Sequence, residues 1–237
     1  MLFFYVRHGD PIYQPDSLTP LGKRQAEALA RRFSIYGLDR IYASSSTRAM
    51  ETAQPTCEVL KQEMTVLDWC HENLAGKDFY LYEDERHDWC FQLPRYRALF
   101  RNPEVLKLGK LWYTHPVFAH TTFATGWERI VREGNTFLAS LGFVHDSEQN
   151  AYRVTEPCAE RVALFAHQGF GLLFLSMVLD IPYPVFSTHF DMAHTGMTVL
   201  EFPEDGEWVV PRVLALSDTG HLYKKDLMMG FQNRIRF

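Results

Sequence analysis

At 237 residues, with 46% hydrophobic and 22% charged side chains, the chain suits one large α/β domain or a core carrying an inserted lobe. Such a core needs no metal or disulfide for stability, and four cysteines (Cys57, Cys70, Cys90, Cys158) without C-x-x-C spacing read as the reduced thiols of a cytoplasmic protein. A formal charge of -5 with no basic stripe argues against nucleic acid as the main partner, and no apolar run reaches the ~18 residues of a membrane span, so any anion site must be local.

Leu2–Val6 is apolar at every position, as in a strand buried on both faces of a parallel sheet. It runs into Arg7-His8-Gly9, three residues that a strand end does not require. After a Pro-containing loop, Thr19 is predicted to cap a helix with Pro20 in its first position and Gly37 at its end. Arg40–Ala43 reads as a short strand. The next helix is capped by one of Ser44–Ser46, with Pro55 expected to bend or shorten it. Thr65–Asp68 is a weak third strand. Between 76 and 126 the periodicity dissolves into aromatics, charges and three prolines (Pro94, Pro103, Pro116), the expectation being a helical cap inserted over the sheet. Val162–Ala166 is a second buried strand, followed by His167, Gly169 and an apolar helix over Phe170–Leu179. The stretch from His194 to Ser217 reads as two strands joined at Asp205-Gly206. The predicted fold is therefore a three-layer α/β domain spanning 1–237. Its central sheet is mostly parallel and flanked by helices, with the cap inserted at about 76–126.

In an open parallel sheet, ligands bind beyond the carboxyl ends of the strands, where Arg7, His8 and His167 fall. Two histidines there fit metal, acid–base or nucleophilic chemistry equally well. Arg48 discriminates among these. It lies in the first turn of its helix, an end that prefers anions, so an arginine is misplaced there unless it serves one. Two arginines and a helix N-terminus around one crevice are explained together by a bound phosphoryl group.

Several stretches also follow a known pattern: Arg7-His8-Gly9, Leu18-Thr19 with Gly22 and Gln25-Ala26, and Ser45 with Arg48 and Thr52-Ala53. Glu72, His167 with Gly169 and the late "LSDTGHL" continue it. In this order the chain resembles the histidine phosphatase (phosphoglycerate mutase-like) superfamily, RHG-motif branch. An isolated R-H-G triplet is weak evidence; its company is what makes the resemblance specific. The resemblance implies that His8 is the nucleophile that becomes phosphohistidine and that Arg7, Arg48 and His167 bind the phosphoryl group. Glu72 would be the proton donor. No metal and no cofactor would be needed, since Arg7, Arg48 and a protonated His167 neutralise the phosphoryl oxygens. A histidine attacks phosphorus only when neutral, so the arginines should disfavour its protonated form while a backbone carbonyl fixes its tautomer.

The chain departs from the family pattern in places. Gln168 stands where glycine is usual, leaving its backbone N–H for the phosphate. Gln14 stands near the position where mutase members carry asparagine, and "WCHENLAGK" matches the phosphatase-type acid motif better than the longer basic mutase motif. Asp10, Tyr13 and Gln14 are further candidates for the substrate pocket. His189, His194 and His221 lack metal-ligand spacing and read as structural.

The leading function is a metal-independent phosphomonoesterase acting through phosphohistidine on a small organic phosphate, with neither nucleic acid nor membrane as partner. The alternatives are a phosphoglycerate-mutase-type phosphotransferase, a non-catalytic phosphoprotein-binding module, and a metallohydrolase. The last needs H-x-H or H-E-x-x-H clusters, which are missing from the sequence. Phe79, Tyr80, Tyr82, Trp89, Phe91 and Trp112 are expected to close over Glu72, raising its pKa and favouring a leaving group with some apolar or planar surface.

Overall fold

A computed structural model describes residues 1–203, 206–223 and 227. The chain begins with β1 (Leu2–Arg7), a small hairpin of β2 (Pro11–Tyr13) and β3 (Asp16–Leu18), and helix α1 (Pro20–Tyr36). Thr19 caps α1 by accepting from the Gly22 N–H at 3.0 Å, and Gly37 ends it at φ 72°, a left-handed value that glycine adopts without penalty. There follow β4 (Arg40–Ser44), α2 (Thr47–Leu60), β5 (Met64–Leu67) and α3 (Glu72–Phe79). Pro55 neither shortens nor ends α2, which runs on to Leu60.

The next stretch contains a hairpin, β6 (Tyr80–Glu83) with β7 (Arg86–Trp89), then α4 (Pro94–Phe100), α5 (Pro103–Leu106) and short 3₁₀ turns up to Phe118. It is thus not purely helical, because Tyr80–Glu83 pairs antiparallel with Arg86–Trp89 across Asp84-Glu85. After α6 (Phe123–Ala139), β8 (Phe143–Asp146) and β9 (Ala151–Val154) come β10 (Arg161–Ala166), α7 (Gln168–Val178), α8 (Tyr183–His189) and β11 (Met197–Glu201). The described chain ends with β12 (Trp208–Val209), β13 (Arg212–Asp218) and the single turn α9 (Gly220–Tyr223).

Six strands form the central sheet in the order β13-β11-β1-β10-β4-β5. β1, β10, β4 and β5 are mutually parallel, and β11 runs antiparallel between β1 and β13. The two strands expected on either side of Asp205-Gly206 are β11 and β13, but the connection is longer than a tight turn. It contributes β12 to a separate sheet with β9 and β8, and Asp205 itself lies outside the described residues.

Side chains alternate across β1, and this divides the core. Phe4 and Val6 pack with Leu29 and Phe33 of α1 and Ala53 of α2, while Phe3 and Tyr5 pack with Leu172 and Phe174 of α7. The second cluster extends without a break through Phe79, Phe100, Trp112, Phe118, Phe123 and Tyr183. Phe79, Phe91 and Trp112 are therefore interior packing, and Tyr82 is 73% exposed; of the six aromatics expected around Glu72, Tyr80 and Trp89 line its pocket. All four cysteines are buried free thiols, and no helix among the described residues is long and apolar enough to cross a membrane.

Candidate active site

Sheet register places the two histidines. Arg7 pairs with Ala166 across the parallel β1–β10 ladder, so the next residue on each strand, His8 and His167, emerges at the same carboxyl edge. Their rings meet edge to face with centroids 5.3 Å apart. Both histidines are tied down through the backbone. His8 N–H donates to Ala166 O at 2.9 Å, and the Tyr5 hydroxyl donates to His167 O at 2.6 Å while accepting from His167 N at 3.2 Å.

The residues after His8 are held by side chains of α1 and α2. Gly9 N–H donates to Thr52 Oγ1 (3.0 Å) and Asp10 N–H to Gln25 Oε1 (2.9 Å). This loop presses so closely on α1 that a Cβ on Gly22 would lie 2.3 Å from Asp10 O. Local backbone satisfaction thus explains why glycine, glutamine and threonine occupy these positions.

His8 Nδ1 donates to Gly9 O at 2.7 Å, which leaves the lone pair on Nε2. Burial, followed by His167, Arg7 and Arg48, pushes the His8 pKa well below the usual histidine value, so the ring is neutral. Arg7 donates through Nη1 to Met192 O (2.6 Å) and through Nη2 to His194 Nε2 (2.9 Å). Arg48 donates through Nη1 to Asp16 Oδ1 (2.6 Å) and through Nη2 to His167 Nδ1 (3.2 Å). The Nε of each arginine is buried with no acceptor among the described residues. Both arginines, His8 and Glu72 line one cavity of about 380 Å³, together with Tyr13, Gln14, Tyr80, Trp89 and Gln168. Buried, unpaired guanidinium N–H groups beside a neutral imidazole suit an anionic, electrophilic group.

His167 differs from expectation. A guanidinium only donates, so Arg48 makes Nδ1 an acceptor, and Nε2 then carries the proton to Ser44 Oγ at 2.8 Å. Burial, then Arg48, holds its pKa well below the ordinary value. The ring is neutral, not protonated, and fully buried behind Arg48.

The expected helix N-terminus also differs, because protein carboxylates occupy both helix starts at this edge. Asp16 Oδ2 accepts from Ser46 Oγ and Thr47 N–H (2.7 Å each) at the start of α2. Burial raises the Asp16 pKa, but these bonds and Arg48 outweigh it and hold the group below its usual value. Glu72 accepts from Gly169 N–H (3.0 Å) and Phe170 N–H (2.9 Å) at the start of α7. Burial raises its pKa; the two N–H donors, Arg48 and Arg7 only partly reverse this, and the carboxyl stays above its ordinary value. Glu72 is not a loop residue. It opens α3, whose N-cap is His71.

Asp10 turns away from the cavity, accepting from Thr19 Oγ1 at 2.6 Å and facing His194 Nδ1 at 3.5 Å. Unlike Tyr13 and Gln14, it is not among the residues lining the cavity. Tyr13 and Gln14 do line the cavity, and Gln168 does too, with its amide tied to Asp191. His194 is more than a remote structural residue: its ring stacks on His8 with centroids 5.9 Å apart and planes at 28°, and it accepts from Arg7. Asp16, Ser44, His71 and His194 escape sequence reading. The one local signal is an aspartate ahead of the motif that could balance Arg48.

A neutral histidine and two arginines at the carboxyl edge of an α/β sheet form a setting suited to an anionic group. Residues 3–102 match the family model described as histidine phosphatase superfamily (branch 1). That match spans less than half of the chain, and with the relative below it supports a phosphatase, a phosphoric monoester hydrolase. A Hydrogenobacter thermophilus protein with the provisional name phosphoserine phosphatase 2 is 28% identical over 151 residues, covering 60% of this chain and 67% of that protein. The fold is shared with Entamoeba histolytica phosphoserine phosphatase, solved as a histidine-to-alanine variant with phosphoserine. That match has TM-score 0.58 and 17% identity, over 93% of this chain and 98% of that one. It is also shared with mycobacterial glucosyl-3-phosphoglycerate phosphatase at TM-score 0.55 and 15% identity, over 91% and 98% of the two chains.

Proposed function

We propose that the chain hydrolyses small organic phosphomonoesters in two displacements through phosphate carried on Nε2 of His8, without a metal ion. The observation that carries this reading is the Nδ1–H···O contact of His8 with Gly9 (2.7 Å), which directs the free lone pair of a neutral imidazole into a cavity lined by Arg7 and Arg48. In the first step Nε2 attacks phosphorus and the P–O bond to the leaving alcohol breaks. Glu72, its pKa raised by burial, delivers its proton to the departing oxygen. In the second step the Glu72 carboxylate takes a proton from water, the oxygen of that water attacks phosphorus, and the P–N bond breaks to release inorganic phosphate and free His8.

Phosphoryl transfer depends mainly on position and charge neutralisation. Arg7 and Arg48 bring two permanent positive charges to the cavity wall. His167 contributes by orienting Arg48, and the segment from α3 to Phe118 acts as a cap closing the leaving-group side. The compounds in the names of the relatives, phosphoserine and glucosyl-3-phosphoglycerate, favour small phosphorylated metabolites as the class. Rapid quenching during turnover of a labelled phosphomonoester should trap acid-labile, base-stable phosphate on the chain. His8→Ala should remove both the label and the turnover, and dialysis against EDTA should change neither. Turnover by a folded His8→Ala protein would overturn the covalent route.

A further inference from the structure

Resting on this phosphatase reading, we infer that the site selects phosphomonoesters whose leaving alcohol carries no negative charge and presents a flat apolar face. The cavity over His8 continues into a second chamber of about 370 Å³, the two sharing Tyr13, Tyr80, Trp89 and Gln168. A leaving group attached to a phosphoryl group at His8 extends into that chamber. Three aromatic rings form part of its wall. Trp89 packs on Tyr80 with centroids 4.8 Å apart, and its indole lies so close to α7 that a Cβ on Gly169 would come within 2.2 Å of it. Tyr13 contributes a third ring, with the Arg48 guanidinium 5.4 Å from its centroid.

Among the described residues, the charges lining the two chambers are three arginines (Arg7, Arg48, Arg86) and three carboxylates (Asp16, Glu72, Asp88), with no lysine. The phosphoryl group engages Arg7 and Arg48. Among the described residues, a second anionic group would then have Arg86 as its one cation, and Arg86 is already paired with Asp88 at 2.8 Å. A carboxylate on the leaving group would lie beside the like charge of Asp88, with Arg86 already engaged by that residue. A neutral or cationic group meets Asp88 and the amides of Gln92 and Gln14 without that penalty. The selection runs against the carboxylate-bearing phosphoserine bound by the Entamoeba enzyme.

Two pairs of alkyl phosphates isolate the two features. O-phosphoethanolamine and O-phosphoserine differ by one carboxylate; 2-phenylethyl phosphate and propyl phosphate differ by one ring. We expect kcat/KM to favour phosphoethanolamine by about tenfold or more and the phenylethyl ester by about fivefold. Asp88→Asn, which unpairs Arg86, should narrow the first ratio. p-Nitrophenyl phosphate reports whether the enzyme turns over at all. If it is hydrolysed and either ratio is near one or reversed, the selection is overturned and the phosphatase reading stands. If none of the five esters is hydrolysed, the phosphatase reading fails and the selection falls with it.

Discussion

The guanidinium of Arg48 donates to Nδ1 of His167 across 3.2 Å, and that one contact decides the protonation state of the second histidine. With Nδ1 accepting, the single ring proton sits on Nε2 and points to Ser44 Oγ. Desolvation and Arg48 both oppose a second proton. Nitrogen-15 shifts of His167 should therefore report the neutral Nε2–H tautomer at pH 6 in the ligand-free protein. An imidazolium signal there would contradict the assignment. Ser44→Ala removes the Nε2 partner and should weaken phosphate binding through disorder of Arg48, while leaving the chain folded.

Glu72 has two tasks that a single substitution separates. As the acid, it is needed when the leaving group is an alkoxide and is nearly dispensable for p-nitrophenolate. Glu72→Gln should slow alkyl phosphates by ~10²–10⁴-fold and barely alter p-nitrophenyl phosphate. As the carboxylate accepting from Gly169 and Phe170 N–H, it also caps α7. A glutamine offers one oxygen in place of two, so Tm should fall as well. Equal slowing of both substrates in folded protein would remove Glu72 from the acid role.

Asp16 joins the β2–β3 hairpin to the phosphate site by capping α2 and pairing with Arg48. Asp16→Ala deletes the cap, worth about 1 kcal/mol, and leaves Arg48 without its fixed orientation. On the proposed reading, in which Arg48 would bind phosphate in ground and transition states alike, KM should rise more than kcat falls. A drop confined to kcat would assign Asp16 a different role.

Acid should destabilise the fold earlier than carboxylate titration alone predicts. His8 and His167 have folded pKa values well below the usual 6.5, His194 is lowered to about 2 by burial and Arg7, and His221 to about 4 by burial and Arg32. Above pH ~6.5 these rings are neutral in both states and contribute no pH dependence. Below it the unfolded chain binds protons that the folded chain refuses, so stability falls by up to about 1.4 kcal/mol per pH unit for each group. Glu72 acts in the opposite sense: its raised pKa favours the folded state at low pH, and that contribution is lost as pH rises through the folded value. The lowered Asp16, Asp180 and Asp218 add their losses only below about pH 4. Thermal melts from pH 8 to pH 4.5 should show Tm declining from about pH 6.5, with a shallower decline in His194→Asn. A flat profile over this range would refute the buried neutral histidines.

What the sequence determined by itself was everything that short-range chemistry specifies. Leu2–Val6 and Val162–Ala166 are apolar enough to be read as buried strands, and Thr19-Pro20 and Gly37 bound α1 through contacts within a few residues. Because ligands gather beyond strand ends, Arg7, His8, Arg48 and His167 were legible from their places relative to those elements. Tertiary structure alone decided how these groups are charged and held. Asp16 reaches α2, Glu72 reaches α7, Ser44 meets His167 and His194 stacks on His8 through contacts set by strand register and helix packing, which no local pattern encodes. The neutral state of His167 has the same origin. Intrinsic chemistry leaves an imidazole free to protonate near neutral pH, and only burial beside an arginine that can do nothing but donate removes that freedom.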